Sequence, residues 1–377
     1  MWEVKRLGDV AALKNGYAFK SSKYSDNGAY KVVTIANVQA GHMSIEDMQR
    51  ISPLPSDLQT HQKLSAGDIL ISMTGNVGRI CYVLIDDCLL NQRVGKLVPT
   101  KIDKEFFYHS IQNGNFQTAM QERAKGGAQG NLSAKDILQH VIYYPNNKHE
   151  QQKIAHCLSS LDEVIGLQAK KVQALKQHKK GLMQQLFPAE GETTPRLRFP
   201  EFREAGAWEV KELSAALAYA QPTPFIVSTE QYGTSGTPVL TAGKTFILGH
   251  TSEDFGIYER VPVIIFDDFT TEAKFVDFPF KVKSSAIKIL SPRPGYSLKF
   301  VLEAIISIQF DASQHKRHWI GEFQHLKIPF PPPKEQQKIA HCLSSLDEVI
   351  GLESHKLDAL KNLKKGLMQQ LFPQEVA

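Results

Sequence analysis

The chain predicts an α+β fold: two mixed α/β domains joined by two long helices that form an antiparallel coiled coil, with pseudo-twofold internal symmetry. Three observations predict it. Residues 150–167, EQQKIAHCLSSLDEVIGL, recur letter for letter at 335–352, and the longer segments Glu150–Pro188 and Glu335–Pro373 agree at 32 of 39 positions. Inside both copies apolar residues return every seven positions, the pattern of a coiled-coil seam. The stretches between, each opened by Trp-Glu-Val-Lys at 2 and at 208, hardly resemble each other and carry β-type runs. Two segments are held alike and two are allowed to differ.

In chain order, residues 1–149 read as a first variable domain, with apolar runs at Tyr30–Val38, Asp68–Met73 and Gly78–Leu84 and a helical stretch near 103–123. Residues 150–187 read as the first spacer helix. Its seam is Ile154, Leu161, Gln168, Leu175, Leu182 interleaved with Leu158, Ile165, Val172, Lys179, Leu186. Pro188 stops it, since proline cannot continue the hydrogen-bond ladder. Residues 188–207, rich in proline, glycine and charge, read as an extended linker. A second variable domain spans 208–334, with runs at Val261–Phe266 and Ala286–Leu290 and a helical stretch near 297–308. The second spacer helix covers 335–373, with seam residues Ile339, Leu346, Glu353, Leu360, Leu367 and Leu343, Ile350, Leu357, Lys364, Leu371. Each seam has two polar interruptions at matching places, Gln168 with Lys179 and Glu353 with Lys364. Such residues either tilt out to solvent or meet across an antiparallel pair, where Gln168 would face Glu353 and set the register.

Composition excludes several classes. Lys and Arg number 44 against 39 Asp and Glu, a mild basic bias that permits a polyanionic partner without establishing one. No window approaches the roughly 18 apolar residues of a membrane span, and the charged N-terminus has no signal-peptide core. Four cysteines, Cys81, Cys88, Cys157 and Cys342, are too few for a disulfide scaffold and form no CxxC pair. The expectation is a cytoplasmic chain without membrane contact. Cys157 and Cys342 flank the seam and read as buried small hydrophobes. His156 and His341 read as helix-surface side chains, and the lysines of the helices, including Lys171, Lys179 and Lys364, as a solvated or subunit-facing surface.

Catalytic apparatus is thin. Gly243-Lys244-Thr245 ends like a phosphate-binding loop, but its required first glycine falls on Pro238. No GxGxxG follows a strand, and Phe330–Pro333 lacks the acidic or amide residue of an amino-methyltransferase motif. Asp267, Asp268 and Glu272 with Lys274 crowd one strand and turn too closely for a nuclease centre. No catalytic or metal-ligating residue is assigned. Side chains of the types that reach base edges or phosphates do cluster in loops. In the first variable domain these are Thr74, Asn76, Arg79, Arg93, Lys125, Gln129 and Asn131. In the second they are Lys244, Thr270, Thr271, Lys274, Lys316, Arg317 and His318.

The doubled EQQKIAHCLSSLDEVIGL…KKGLMQQLFP, the linker PRLRFPEF ahead of a tryptophan, and the stretches LGDVAALKNGYAFKSSKY, LLNQRVGKLVP and FDDFTTEAKFVDFPF together resemble the specificity subunits of type I restriction–modification systems over essentially the whole chain. The resemblance implies a non-catalytic subunit with two target-recognition domains, each reading one half of a split double-stranded DNA target. It implies two modification (methyltransferase) subunits docked on the helices, with restriction subunits able to join. S-adenosylmethionine, ATP and Mg are then expected in those partners and no cofactor on this chain. The second variable domain departs from the pattern by opening LSAALAYAQPTPF, which points to a different recognition subfamily. Two rival readings are a coiled-coil protein scaffold that reads no DNA and part of a fused restriction–methylation enzyme.

Overall fold

The computed structural model of the chain describes residues 2–112, 114–125, 130–242, 245–308 and 318–373. The chain is α+β and divides into two compact units, one of residues 1–167 with 357–377, the other of residues 168–356. The two long helices, Lys148–Leu186 and Pro333–Leu371, therefore each contribute one part to each unit.

In the first unit a four-stranded antiparallel sheet runs in the order Ala11–Asn15, Val94–Pro99, Ile69–Ser72, Ile80–Tyr82. The Ile69–Ser72 strand reads as an unbroken apolar run because both its faces are covered. Ile69 and Ile71 pack with Leu7, Phe106, Phe116, Ile154 and Leu158, whereas Leu70 packs with Val33, Leu64, Cys81 and Leu90. That split follows from the two-residue alternation of a strand. The second core is completed by another sheet, Gln49–Ile51, Tyr30–Val33, Cys88–Leu90, Lys63–Leu64, whose central pair is parallel. A separate two-stranded ribbon pairs Trp2–Arg6 with Val141–Pro145 and closes the unit's beginning onto the start of the first long helix.

The second unit repeats this order with other residues. Its main sheet is Leu217–Ala220, Ile287–Pro292, Val263–Asp267, Ala273–Val276, and its smaller one is Ile247–Thr251, Thr237–Leu240, Lys281–Val282, again with one parallel pair. Ile264 and Phe266 face the core that holds Trp208, Phe300, Ile339 and Leu343. Val263 and Ile265 face the core of Leu240, Phe280 and Val282. The ribbon here is Glu209–Glu212 with Lys327–Phe330.

A glutamine from the repeated EQQKIA ties each long helix to its unit in the same way. Gln151 accepts from the Asp103 amide and donates to the Pro145 carbonyl, and Asp103 caps helix Lys104–Ile111. Gln336 accepts from the Ser297 amide and donates to the Pro331 carbonyl, and Ser297 caps helix Leu298–Ser307. Both side chains are buried. Leaving either set of partners unsatisfied costs roughly 1–3 kcal/mol, so this one residue type locks domain to helix twice.

Within each unit the long helices run antiparallel. In the first, Ile154 and Leu158 share a core with Leu367, Met368 and Leu371, and Asp162 accepts from Lys364 at 2.6 Å. In the second, Leu182 and Leu186 meet Ile339 and Leu343, and Lys179 donates to Asp347 at 2.7 Å. Gln168 is buried and donates to both the Glu353 carboxylate, at 2.7 Å, and the Glu353 carbonyl. Of the two readings of that residue, the facing one holds. Two expectations need correction. Lys179 and Lys364 are largely enclosed and not solvated, because each finds a repeat aspartate across the pair and a further acceptor on the domain, Glu303 for Lys179 and Gln112 for Lys364. Cys157 is exposed and Cys342 half-buried, since the seam turns away from that position of the heptad. The linker 188–207 lies against the second unit: the Trp208 amide donates to the Thr193 carbonyl and Arg198 docks on Glu335.

Candidate nucleic-acid interface

Each unit carries a hairpin tip on its main sheet, and the two tips share one backbone frame. In the first unit the tip joins strands Ile69–Ser72 and Ile80–Tyr82. The Met73 amide donates to the Arg93 carbonyl, and the Met73 carbonyl accepts from the Leu132 amide. In the second unit the tip joins Val263–Asp267 and Ala273–Val276. The Asp268 amide donates to the Ala286 carbonyl, and the Asp268 carbonyl accepts from the His318 amide. Three loops distant in sequence are thereby gathered at each tip: 73–79, 91–93 and 130–132 in one, 268–272, 284–286 and 318–319 in the other.

The tips differ in how they are stiffened and in what they present. In the first, the Ser72 hydroxyl donates to the Asn76 carbonyl at 2.6 Å and accepts from the Arg79 amide. Gly75 and Gly78 supply positive φ angles of 69° and 76°, and a Cβ on Gly78 would stand 2.7 Å from Met120 Cβ. Only glycine fits there. In the second, the Asp267 carboxylate accepts from the Phe269 amide at 2.8 Å and the Thr270 amide at 3.3 Å. Thr271 is held at φ 61°, an unusual conformation for a β-branched residue. Asn76 and Thr270 are exposed, and so is Phe269 at 39%, a large apolar side chain that the sequence reading passed over because it looks only for hydrogen-bonding types.

The sequence-predicted residues fall into distinct settings. Thr74, Asn76, Arg79, Arg93 and Asn131 are brought together, with Asn76 and Arg93 exposed. Arg79 is half-buried and donates to Gln39 at 2.6 Å. Lys125 is exposed at the end of helix Gly114–Lys125. Thr270 and Thr271 sit on the second tip. Lys274 lies on the neighbouring strand with its ammonium 4.6 Å from the centre of the Phe246 ring. His318 is buried, its ring 3.1 Å from Glu322, so it supports the tip from below. Gln129, Lys244, Lys316 and Arg317 lie outside the described residues. The carboxylates of the second tip are engaged in structure: Asp268 pairs with Lys288 at 2.9 Å and accepts from the Trp319 amide. Among the described residues no group of three His, Cys, Asp or Glu side chains is placed to hold a metal ion, and no helix is long and apolar enough to cross a membrane.

Comparison with known proteins adds a consistent set of similarities. Residues 1–177 and 263–362 match the sequence profile of the type I restriction modification DNA specificity domain. The chain is 47% identical over 139 residues to the type I restriction enzyme EcoR124I/EcoR124II specificity subunit of Escherichia coli, a match covering 35% of this chain and about a third (34%) of that protein. It is 24% identical to the putative type I restriction enzyme MjaX specificity subunit of Methanocaldococcus jannaschii, over 98% of this chain and 92% of that one. In fold it is similar to the crystallised type I restriction–modification S subunit from M. genitalium, with a TM-score of 0.68 at 16% identity over 100% of this chain and 97% of that chain.

Proposed function

Because the chain belongs to the family of type I restriction–modification DNA specificity proteins, we propose that it reads a bipartite double-stranded DNA target, one half-site with each hairpin tip, as the specificity subunit of such a system. The observation that carries this is the repeated tip frame: one backbone arrangement, built twice, presents Thr74-Gly75-Asn76 in one unit and Phe269-Thr270-Thr271 in the other. Readers of two different half-sites need a common scaffold and different side chains. In this reading residues 1–149 and 208–334 are the recognition domains, 150–187 and 335–373 the spacer helices, and 188–207 the connection.

The long helices support the second half of the proposal. Val164 and Leu167 are exposed in the first copy of the repeat, and Val349 and Leu352 are exposed at the same letters of the second. Apolar side chains left in water at identical places of a duplicated sequence fit two copies of one docking partner. We assign that role to modification subunits, with restriction subunits joining the assembly in the cytoplasm. Methyl transfer and cleavage, with S-adenosylmethionine, ATP and Mg, belong to those partners.

The test is methylome sequencing of cells that carry the chain with its modification subunit. A single split motif is expected. Exchanging residues 208–334 for those of another family member should change one half of the motif and leave the other intact. If both halves changed, or no motif appeared with an active modification subunit, the reading would be wrong.

A further inference from the structure

The two copies of the long helix differ at seven letters, all within 168–178 of the first and 353–363 of the second. Through and just beyond that divergent stretch four lysines are kept: Lys171, Lys176, Lys179 and Lys180 return as Lys356, Lys361, Lys364 and Lys365. Lys179 and Lys364 are accounted for by the aspartates across the pair. Lys361 and Lys365 are not. Both are exposed, and neither has a hydrogen bond or ion pair among the described residues. They stand one turn apart on one face, where like charges repel and cost the helix stability. A repulsive pair kept in both copies, while the letters around it changed, points to an anion outside the chain.

In the first unit Lys361 and Lys365 help to line a cavity of about 480 Å³. The rest of its lining includes Gly78 of the hairpin tip, Gly41 of the neighbouring loop, and the amide side chains of Gln112 and Gln117. The Gly41 amide donates to the Ile80 carbonyl at 2.9 Å, which fixes that loop to the strand leaving the tip. Both glycines hold positive φ angles, 81° and 76°, and bring backbone without a side chain to the cavity. No aspartate or glutamate lines it among the described residues. Lys364 already has Asp162 and Gln112 as acceptors, so the positive charge left uncompensated is that of Lys361 and Lys365.

We propose that Lys361 and Lys365 hold the sugar–phosphate backbone of DNA beside the first hairpin tip, so that the spacer helix itself grips the duplex. The proposal rests on the reading of DNA by the tips. Gly78 belongs to the tip and lines the same cavity as the two lysines, which places their ammonium groups on the path of a duplex seated there. Phosphate contacts fix position and carry no base information. The pair therefore serves affinity and leaves the choice of sequence to the tip.

The test uses the chain assembled with its modification subunit, and labelled duplexes with and without the split motif found in the methylome. Lys361→Ala with Lys365→Ala, both at exposed positions, should weaken binding to the two duplexes by the same factor. The slope of log affinity against log salt should fall by about 0.9 for each phosphate contact, about two in all. The advantage of the unaltered complex should accordingly shrink about tenfold between about 50 mM and about 200 mM salt. Lys361→Arg with Lys365→Arg should keep the original slope, the methylated motif should not change, and hydroxyl-radical protection should be lost at the first half-site alone. Unchanged affinity and slope in the alanine variant overturn the proposal, as does a relaxed motif. Loss of the modification subunit from the alanine variant in sedimentation also overturns it, because the lysines would then face an acidic protein surface. If the unaltered complex gives no split motif, the DNA-reading proposal fails; if it gives one and the alanine variant binds as tightly, only the grip of the helix fails.

Discussion

Arg79 and Asn76 show how position changes what a polar side chain is free to do. Both stand in one seven-residue loop, but Arg79 is turned inward onto Gln39 while Asn76 is exposed. Asparagine matches the paired donor and acceptor of adenine in the major groove. We expect Asn76→Ala to relax one position of the first half-site at a cost of roughly 1–3 kcal/mol, read as degeneracy at a single base in the methylome. Arg79→Ala should act through the loop's stability and weaken the first half-site as a whole. Phe269 is exposed and rigidly mounted, with its own amide and the next one both fixed on Asp267. An apolar side chain on such a mount suits the thymine methyl group or a wedge between base steps. Phe269→Ala is expected to alter only the second half-site, by about 1–3 kcal/mol, and Phe269→Leu to restore part of the loss. Unchanged half-site preference in Phe269→Ala would remove the side chain from recognition.

The long helices are held by an apolar seam interrupted at intervals by polar layers. All twenty seam residues, Gln168, Lys179, Glu353 and Lys364 included, are buried or half-buried. Gln168 and Lys171 both donate to Glu353 and hold its carboxyl below the ordinary range. Lys179 works against burial, yet its bonds to Asp347 and Glu303 raise its pKa all the same. Burial in turn pushes the Glu303 carboxyl up. Polar layers of this kind cost stability and fix alignment, because only one register lets the groups meet. The double replacement Gln168→Leu, Glu353→Leu should therefore raise the melting temperature, by an amount corresponding to about 1–4 kcal/mol, while permitting more than one gap length in the methylome. Four residues inserted after Leu167 add about 6 Å of helix and should lengthen the gap or abolish activity.

Across the molecule the two units share a frame but not an electrostatic interior. In the first, His109 is buried against Ser159 and near Lys364, and its pKa falls to about 4, chiefly through burial. His140, enclosed beside Phe116, also falls to about 4 by burial. Both stay neutral in the folded state when the unfolded chain, with histidines near 6.5, already takes up protons. Their contribution is complete above about pH 6.5 and is lost as pH drops towards 4, by up to roughly 3 kcal/mol for each. Denaturant midpoints should fall between pH 7 and pH 5, and His109→Gln should flatten that slope. A slope unchanged by the substitution would assign the loss to other groups. In the second unit Glu303 occupies the place of His109, measured from the helix caps Asp103 and Ser297, so no histidine stands at that helix position there.

The duplicated segments made the helices, their seam and the split architecture legible from residue order alone. Identity at 32 of 39 positions and a seven-residue period are local properties of the chain, and a long amphipathic helix follows from local periodicity. The same holds for central strands such as Ile69–Ser72, whose double burial leaves an apolar run. What the order could not show depends on contacts between residues far apart. Met73 and Arg93 are joined only because two antiparallel strands share a sheet, and His318 reaches Asp268 from fifty positions away. Lysines that look like solvent-facing charge become largely enclosed cross-links where an aspartate from the other repeat stands opposite. Identical letters at Glu150 and Glu335 acquire different surroundings because a loop from elsewhere in the chain covers one and not the other. Local pattern sets which element forms, since it turns on neighbours in sequence. Burial, pairing and presentation turn on neighbours in space, and only packing supplies those.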